Sequence, residues 1–242
     1  MFDKKSFLAL INSNILRYGY HITIVNSNTI PRYAYSIGLQ EMLGFELIFA
    51  GGIMFLKDDV TLIFDRFVEA FKMNKGTHDQ QVEINGFGSF SLVNADSSWT
   101  SLMALGVFDY YKTNEVEFFQ IIPDKEHYTL DIPDMKKIFE HSSQPVWKWL
   151  AMKWDYSVPK NSTVVTNIDA LFGKKITEVT RWEDDEWEMF AGAGPDIEKE
   201  EVRVVSLGTI LGIDITLLPA LELNIGKGLW RDESGQMWNE WA

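Results

Sequence analysis

Phe7, Leu8, Leu10, Ile11, Ile15 and Leu16 recur at helical spacing, and Gly19 closes the run, so the chain is predicted to open with an amphipathic helix. His21-Ile22-Thr23-Ile24-Val25 is short and β-branched, and Tyr33 to Leu39 resumes an extended pattern after a polar turn containing Pro31. The pair predicts an antiparallel hairpin. Phe45 to Ala50 is an unbroken apolar strand save for Glu46, and Gly51-Gly52 stops it. Val60, Ile63, Phe64, Phe67, Val68 and Phe71 then line one face of a helix that Asp58 or Asp59 can cap and Gly76 can end. A strand pair over 81–87 and 89–93 bends at Gly86 and Gly88. Asp96, Ser97 or Ser98 caps a helix carrying Trp99, Leu102, Met103, Leu105, Phe108 and Tyr111, and a strand over 116–122 ends at Pro123-Asp124.

The pattern changes from 132 to 165. Trp147, Leu150 and Trp154 have the spacing of one helical face, and 157–162 reads as a connecting loop. Beyond it, 176–182 and 186–191 form a predicted hairpin, 202–207 a strand, and 209–218 a helix-like run. Gly226, Gly228 and Gly235 punctuate the tail. Strands joined by tight turns and mixed with helices predict an α+β fold with a mixed or antiparallel sheet, followed by a smaller β-rich module. The expected boundaries are 1–135 for the first module, 136–165 for a connecting segment, and 166–242 for the second.

Charge sharpens this division. The 242 residues carry a net charge of −13. Lys and Arg against Asp and Glu give 10 − 17 = −7 over 1–135, 7 − 3 = +4 over 136–175, and 5 − 15 = −10 over 176–242. So acidic a chain is a poor partner for phosphate backbones, which excludes nucleic acid as the expected ligand despite the basic, Trp-bearing middle segment. With no cysteine, thiolate nucleophiles, disulfides and Cys-ligated metals are excluded, and the composition fits a reducing, cytoplasmic setting. The N-terminal apolar run is broken by Asn12-Ser13-Asn14, unlike a signal peptide, and no stretch has the length of a membrane span.

Candidate chemistry is sparse. The chain has no dinucleotide fingerprint, Walker loop, zinc-protease helix or nucleophile elbow, and no cofactor or metal is expected. Gly86-Phe87-Gly88 reads as a hairpin bend. Of His21, His78, His127 and His141, no two share a helical metal-ligand spacing. His127 follows Asp124, which can orient it, so these two form the one conceivable acid–base pair. Glu183-Asp184-Asp185-Glu186 reads as a solvated hairpin tip. Trp187, Trp230 and Arg231 are the expected aromatic and cationic anchors of the acidic module.

Three blocks carry a resemblance. Tyr33-Ala34-Tyr35-Ser36-Ile37-Gly38-Leu39, then Phe45-Glu46-Leu47-Ile48-Phe49-Ala50-Gly51, then Gln120-Ile121-Ile122-Pro123-Asp124 are similar to the hallmarks of a bacterial family known only as a domain of unknown function, over roughly 15–130. Gly44-Phe45 stands where that family has His-Pro, and Lys125-Glu126-His127 where it has Gly and Pro-Trp. The tail blocks Ile176–Thr180, Trp187–Phe190, Val204–Gly208 and Leu229–Arg231 resemble a module of uncharacterised bacterial proteins. Neither resemblance implies an activity. The expected function is therefore a non-catalytic, immunity-type or interaction module that binds a basic protein. The alternative is a hydrolase-like enzyme or small-molecule sensor with a polar cleft around Tyr35, Ser36 and Asp124.

Overall fold

The computed structural model describes residues 4–74, 81–234 and 237–241; the expected stop at Gly76, the histidine at 78 and Gly235 lie outside them. The fold is α+β, with helices and two mixed sheets of six strands each. By its contacts the chain divides into two units. The first comprises 1–25, 32–128 and 134–139, and the second 26–31, 129–133 and 140–242.

In the first unit, α1 (Lys4–Tyr18) precedes the hairpin β1 (His21–Val25) and β2 (Tyr33–Ile37), whose register pairs His21 with Ile37 and Val25 with Tyr33. A short α2 (Gln40–Leu43) leads to β3 (Glu46–Ala50), which adds antiparallel to β2. Gly51 and Gly52 both take positive φ, which ends the strand and turns the chain toward α3 (Lys57–Asn74). The predicted apolar face of α3 is all core: Val60, Ile63, Phe64, Phe67, Val68 and Phe71 are buried. Each such side chain contributes on the order of 2 kcal/mol by leaving water. Asp59 acts from inside the first turn, accepting a hydrogen bond from the Leu56 N–H at 2.7 Å.

The hairpin β4 (Val82–Ile84) and β5 (Gly88–Asn94) follows. Asp96 caps α4 (Ser97–Met103) through the Ser98 N–H. The single helix predicted here is broken at Ala104, and α5 (Leu105–Tyr111) starts anew. β6 (Phe118–Pro123) then inserts between β3 and β5, parallel to the former and antiparallel to the latter, giving the order β1-β2-β3-β6-β5-β4.

In the second unit the order is β10-β7-β9-β8-β11-β12, from β7 (Thr163–Asn167), β8 (Glu178–Arg181), β9 (Glu186–Phe190), β10 (Val202–Ser206), β11 (Lys227–Trp230) and β12 (Asn239–Glu240). A four-residue α6 (Ile168–Leu171) follows β7, and α7 (Leu207–Ile213), capped by Ser206, follows β10. The expected helical face at Trp147, Leu150 and Trp154 does not form. Turns and one 3-10 turn, Lys148–Leu150, run there instead, after Pro145. Trp147 is buried and donates to the Asp131 carbonyl, while Trp149, Trp154 and Tyr156 form an aromatic cluster with the Lys148 ammonium 4.5 Å from the Trp149 ring. The basic–aromatic interleaving is thus internal cation–π packing. Segment 157–162 is also tied within this unit: Trp154 donates to the Val158 carbonyl, and Leu207 N–H to that of Ser162.

Candidate functional site

Ser36 and Glu46 meet in a buried polar cage. Glu46 accepts hydrogen bonds from Ser36 Oγ, the Gly38 N–H at 2.8 Å, the Gln40 N–H at 3.0 Å and the Tyr111 hydroxyl at 2.6 Å. Ser36 Oγ in turn accepts from the Leu47 N–H at 2.8 Å. Burial pushes the Glu46 carboxyl above the ordinary range against these four donors, and burial beside Glu46 pushes the Tyr111 phenol up as well. Gly38 has φ +112° and the Ile15 side chain 2.9 Å from where a Cβ would be, so the turn after β2 admits only glycine there. The cage clamps the β2–α2 turn to the start of β3 and to α5. Ser36 and the carboxylate it donates to are both fully buried, so the pair has no open face toward solvent, and the hydroxyl serves the clamp. Tyr35 is buried too, stacked on Tyr33, with its hydroxyl against Gly106.

Asp124 and His127 do meet: Asp124 Oδ1 lies 2.7 Å from His127 Nδ1. The same carboxylate caps the 3-10 turn Lys125–His127 through the Glu126 and His127 N–H groups and accepts from Ser89 N–H at 2.7 Å. Partial burial pushes its pKa up, but the Ser89 and His127 hydrogen bonds outweigh that and hold it below the usual range. The imidazole stacks on Phe55, with ring centroids 6.0 Å apart. Chemically the pair can hold His127 in one tautomer, with Nε2 as the remaining acid or base.

The sheet keeps these two places apart. Glu46 pairs with Phe118 at the start of β6, whereas Asp124 follows the end of that strand. Six strand residues span roughly 20 Å. Tyr35, Ser36 and Asp124 therefore do not share the polar cleft expected of them.

The second unit brings acids and aromatics onto one open sheet face. Across β9, β8 and β11 the register aligns Phe190, Glu178 and Trp230 in one row, and Glu188, Thr180 and Gly228 in the next. Paired residues share a face, and the opposite face carries the core residues Val179, Trp187, Met189 and Leu229. Over the second row lies Trp241, whose ring occupies the space a Cβ on Gly228 would need, 2.8 Å away. Together with Trp182 they enclose a pocket of about 290 Å³ floored by Glu178, Thr180 and Glu188. Trp182 is 52% exposed and Trp241 43%. Glu178 accepts the Gly194 N–H at 2.8 Å. The half-buried carboxylate of Glu188 receives no hydrogen bond from the described residues.

Of the expected anchors, Trp230 stands on this face, 39% exposed. Trp187 and Arg231 do not reach it: they are 1% and 2% exposed. Trp187 packs in the core under the Arg181 guanidinium. Arg231 donates to the Ile176 carbonyl, Thr216 and Asp214, and stacks on Trp238 at 4.1 Å. Its fork stitches the tail to the helical segment after α7. Sequence reasoning passed over Trp182, Glu188 and Trp241 as binding residues. The signal lay in strand alternation, since even-numbered positions of β8 and β9 share a face and odd-numbered Val179, Trp187 and Met189 supply the core.

Among the described residues no group of three or more His, Asp or Glu side chains is placed to hold a metal ion. No helix there is long and apolar enough to cross a membrane. No curated protein and no solved structure matches the chain. Residues 14–128, just under half of the chain, match a family model described as a domain of unknown function, DUF4262, and it is to this uncharacterised family that the first unit is similar.

Proposed function

We propose that the protein is a binding module for a basic partner protein, taking a Lys or Arg side chain into the acid–aromatic pocket of the second unit. One observation carries this reading: half-buried Glu188, whose carboxylate has no partner among the described residues, lines one pocket with Glu178 and the exposed indoles of Trp182 and Trp241. A carboxylate partly withdrawn from water seeks a cation, and an indole face attracts the same cation through its quadrupole. The charge of −10 over 176–242 extends the attraction beyond contact distance and speeds encounter with a basic surface. A basic toxin domain held by an immunity-type partner has this chemistry. The hydrolase-like alternative rests on the Asp124–His127 contact, which capping of the 3-10 turn already accounts for.

Titration of tryptophan fluorescence with an Arg- and Lys-rich peptide, against an acidic peptide of matched length, tests this. The basic peptide is expected to bind, more weakly as salt is raised. Trp182→Ala and Glu188→Gln are each expected to weaken it about 5- to 30-fold, the equivalent of about 1–2 kcal/mol for a partly desolvated cation–π or charge contact. Equal binding of both peptides, or variants indistinguishable from the parent, would overturn it.

A further inference from the structure

The free edge of the first sheet carries a groove of about 480 Å³ between β1 and α3, lined also by Asn14 and Tyr18 of α1, the former bonded to His21. β1 is a terminal strand: β2 pairs with one of its sides, and no described strand with the other. His21-Ile22-Thr23-Ile24-Val25 is strongly β-forming and contains none of the Lys, Pro, Gly or acidic residues that keep a bare edge from pairing. Tyr20, Ile22 and Ile24 alternate onto the face covered by α3, where the two isoleucines pack half-buried against its core.

The helix contributes a matching row. Lys57, Thr61 and Asp65 are four residues apart and form one ridge of α3 along the groove. The Tyr20 hydroxyl donates to Asp65, which fixes Asp65 at the Tyr20 end and leaves Lys57 at the Ile24 end. Eight helical residues rise about 12 Å, and four strand residues about 13 Å, so the two rows run in step. The edge therefore has an anionic end, a cationic end and an aliphatic middle. Lys57 forms no ion pair among the described residues.

Such an edge is complementary to itself. A two-fold axis at the level of Ile22 and Thr61 runs a second β1 antiparallel to the first. It brings Lys57 of each copy to Asp65 of the other and sets the two Thr61 side chains nearest the axis. Parallel pairing would instead oppose Lys57 to Lys57 and Asp65 to Asp65, which like-charge repulsion disfavours. We propose that β1 pairs antiparallel with β1 of a second copy of this chain, forming one sheet continuous across an isologous dimer.

Three measurements test it. Sedimentation velocity on the full chain is expected to show a concentration-dependent dimer. Because the chain has no cysteine, oxidised Thr61→Cys can form only an intermolecular disulfide, and it is expected to crosslink much faster than Ser101→Cys on the exposed surface of α4. Lys57→Asp is expected to raise the dimer dissociation constant several-fold, and adding Asp65→Lys to restore it. A monomer at every concentration up to about 1 mM, crosslinking no faster at 61 than at 101, or a dimer indifferent to Lys57→Asp would each overturn the proposal. Occupation of the groove by a small molecule, or by another protein's strand with this chain still monomeric, would do so as well.

Discussion

At the scale of single residues the telling group is Glu46. A carboxylate that has lost its water is tolerated here because four donors converge on it. Replacing it by Ala strands those donors, and Glu46→Ala is expected to lower stability by about 3 kcal/mol in denaturant unfolding. The pH dependence has a definite sign. The native pKa is raised above the unfolded one, so the folded chain binds the proton more tightly. Stability from this group is full below the ordinary glutamate range and declines as pH rises through the native value. Unfolding midpoints of the parent should carry that decline and those of Glu46→Gln should lack it; identical pH profiles would refute the assignment. Asp124 has the opposite sign: its native pKa is depressed, so its contribution is present above the ordinary aspartate range and lost on acidification.

At the scale of elements, the Asp124 cap depends on a glycine in the neighbouring strand. Gly88 has φ +82°, and a Cβ there would collide with Asp124 Oδ2 and come within 2.7 Å of the His127 ring. Gly88→Ala is expected to cost about 2 kcal/mol or more, from left-handed strain plus the lost cap, with the β4–β5 turn loosening first in hydrogen exchange. A parent-like melting temperature would show that the turn has another way to close. Elements also show where periodicity misleads. The run from Trp99 to Tyr111 is helical throughout by its apolar spacing, yet it breaks at Ala104, and Gly106 passes so close to β2 that a Cβ would be 2.6 Å from the Tyr35 hydroxyl. Trp147 and Trp154 are spaced as a helix face, yet separate contacts hold them: Trp147 donates to the Asp131 carbonyl, and Trp154 donates to that of Val158 and packs on Trp149.

At the scale of the whole molecule, the division in space does not follow the order of the chain. Residues 26–31 and 129–133 belong with the second unit although they interrupt the first. Proteolysis should read this. Residues 140–143 are exposed and, among the described residues, are held by a local turn from Ser143 to Glu140, whereas 157–162 is anchored through Val158 and Ser162. A low-specificity protease at low ratio is expected to cut first within 140–143. A first cut within 157–162 would instead favour modules bounded at 135 and 165.

The sequence by itself determined what local physics decides. The hairpin of β1 and β2, the buried strand β3, the α3 face and the hairpin of β8 and β9 follow from alternation, helical spacing and glycine stops, because each buries its own apolar row regardless of partners. It also determined the charge asymmetry, since that is a sum over residues. Only the tertiary structure decided the rest. β11 and β12 have weak patterns of their own and become strands by pairing, β11 with the distant β8 and β12 with β11. The parallel pairing of β3 with β6 decides that Ser36 and Asp124 stand far apart. Register across β9, β8 and β11 decides which tryptophans face water: Trp187 turns inward while Trp182, Trp230 and Trp241 stay in reach of a partner. A tryptophan in the sequence states how much apolar surface must be placed, and only the sheet states on which side.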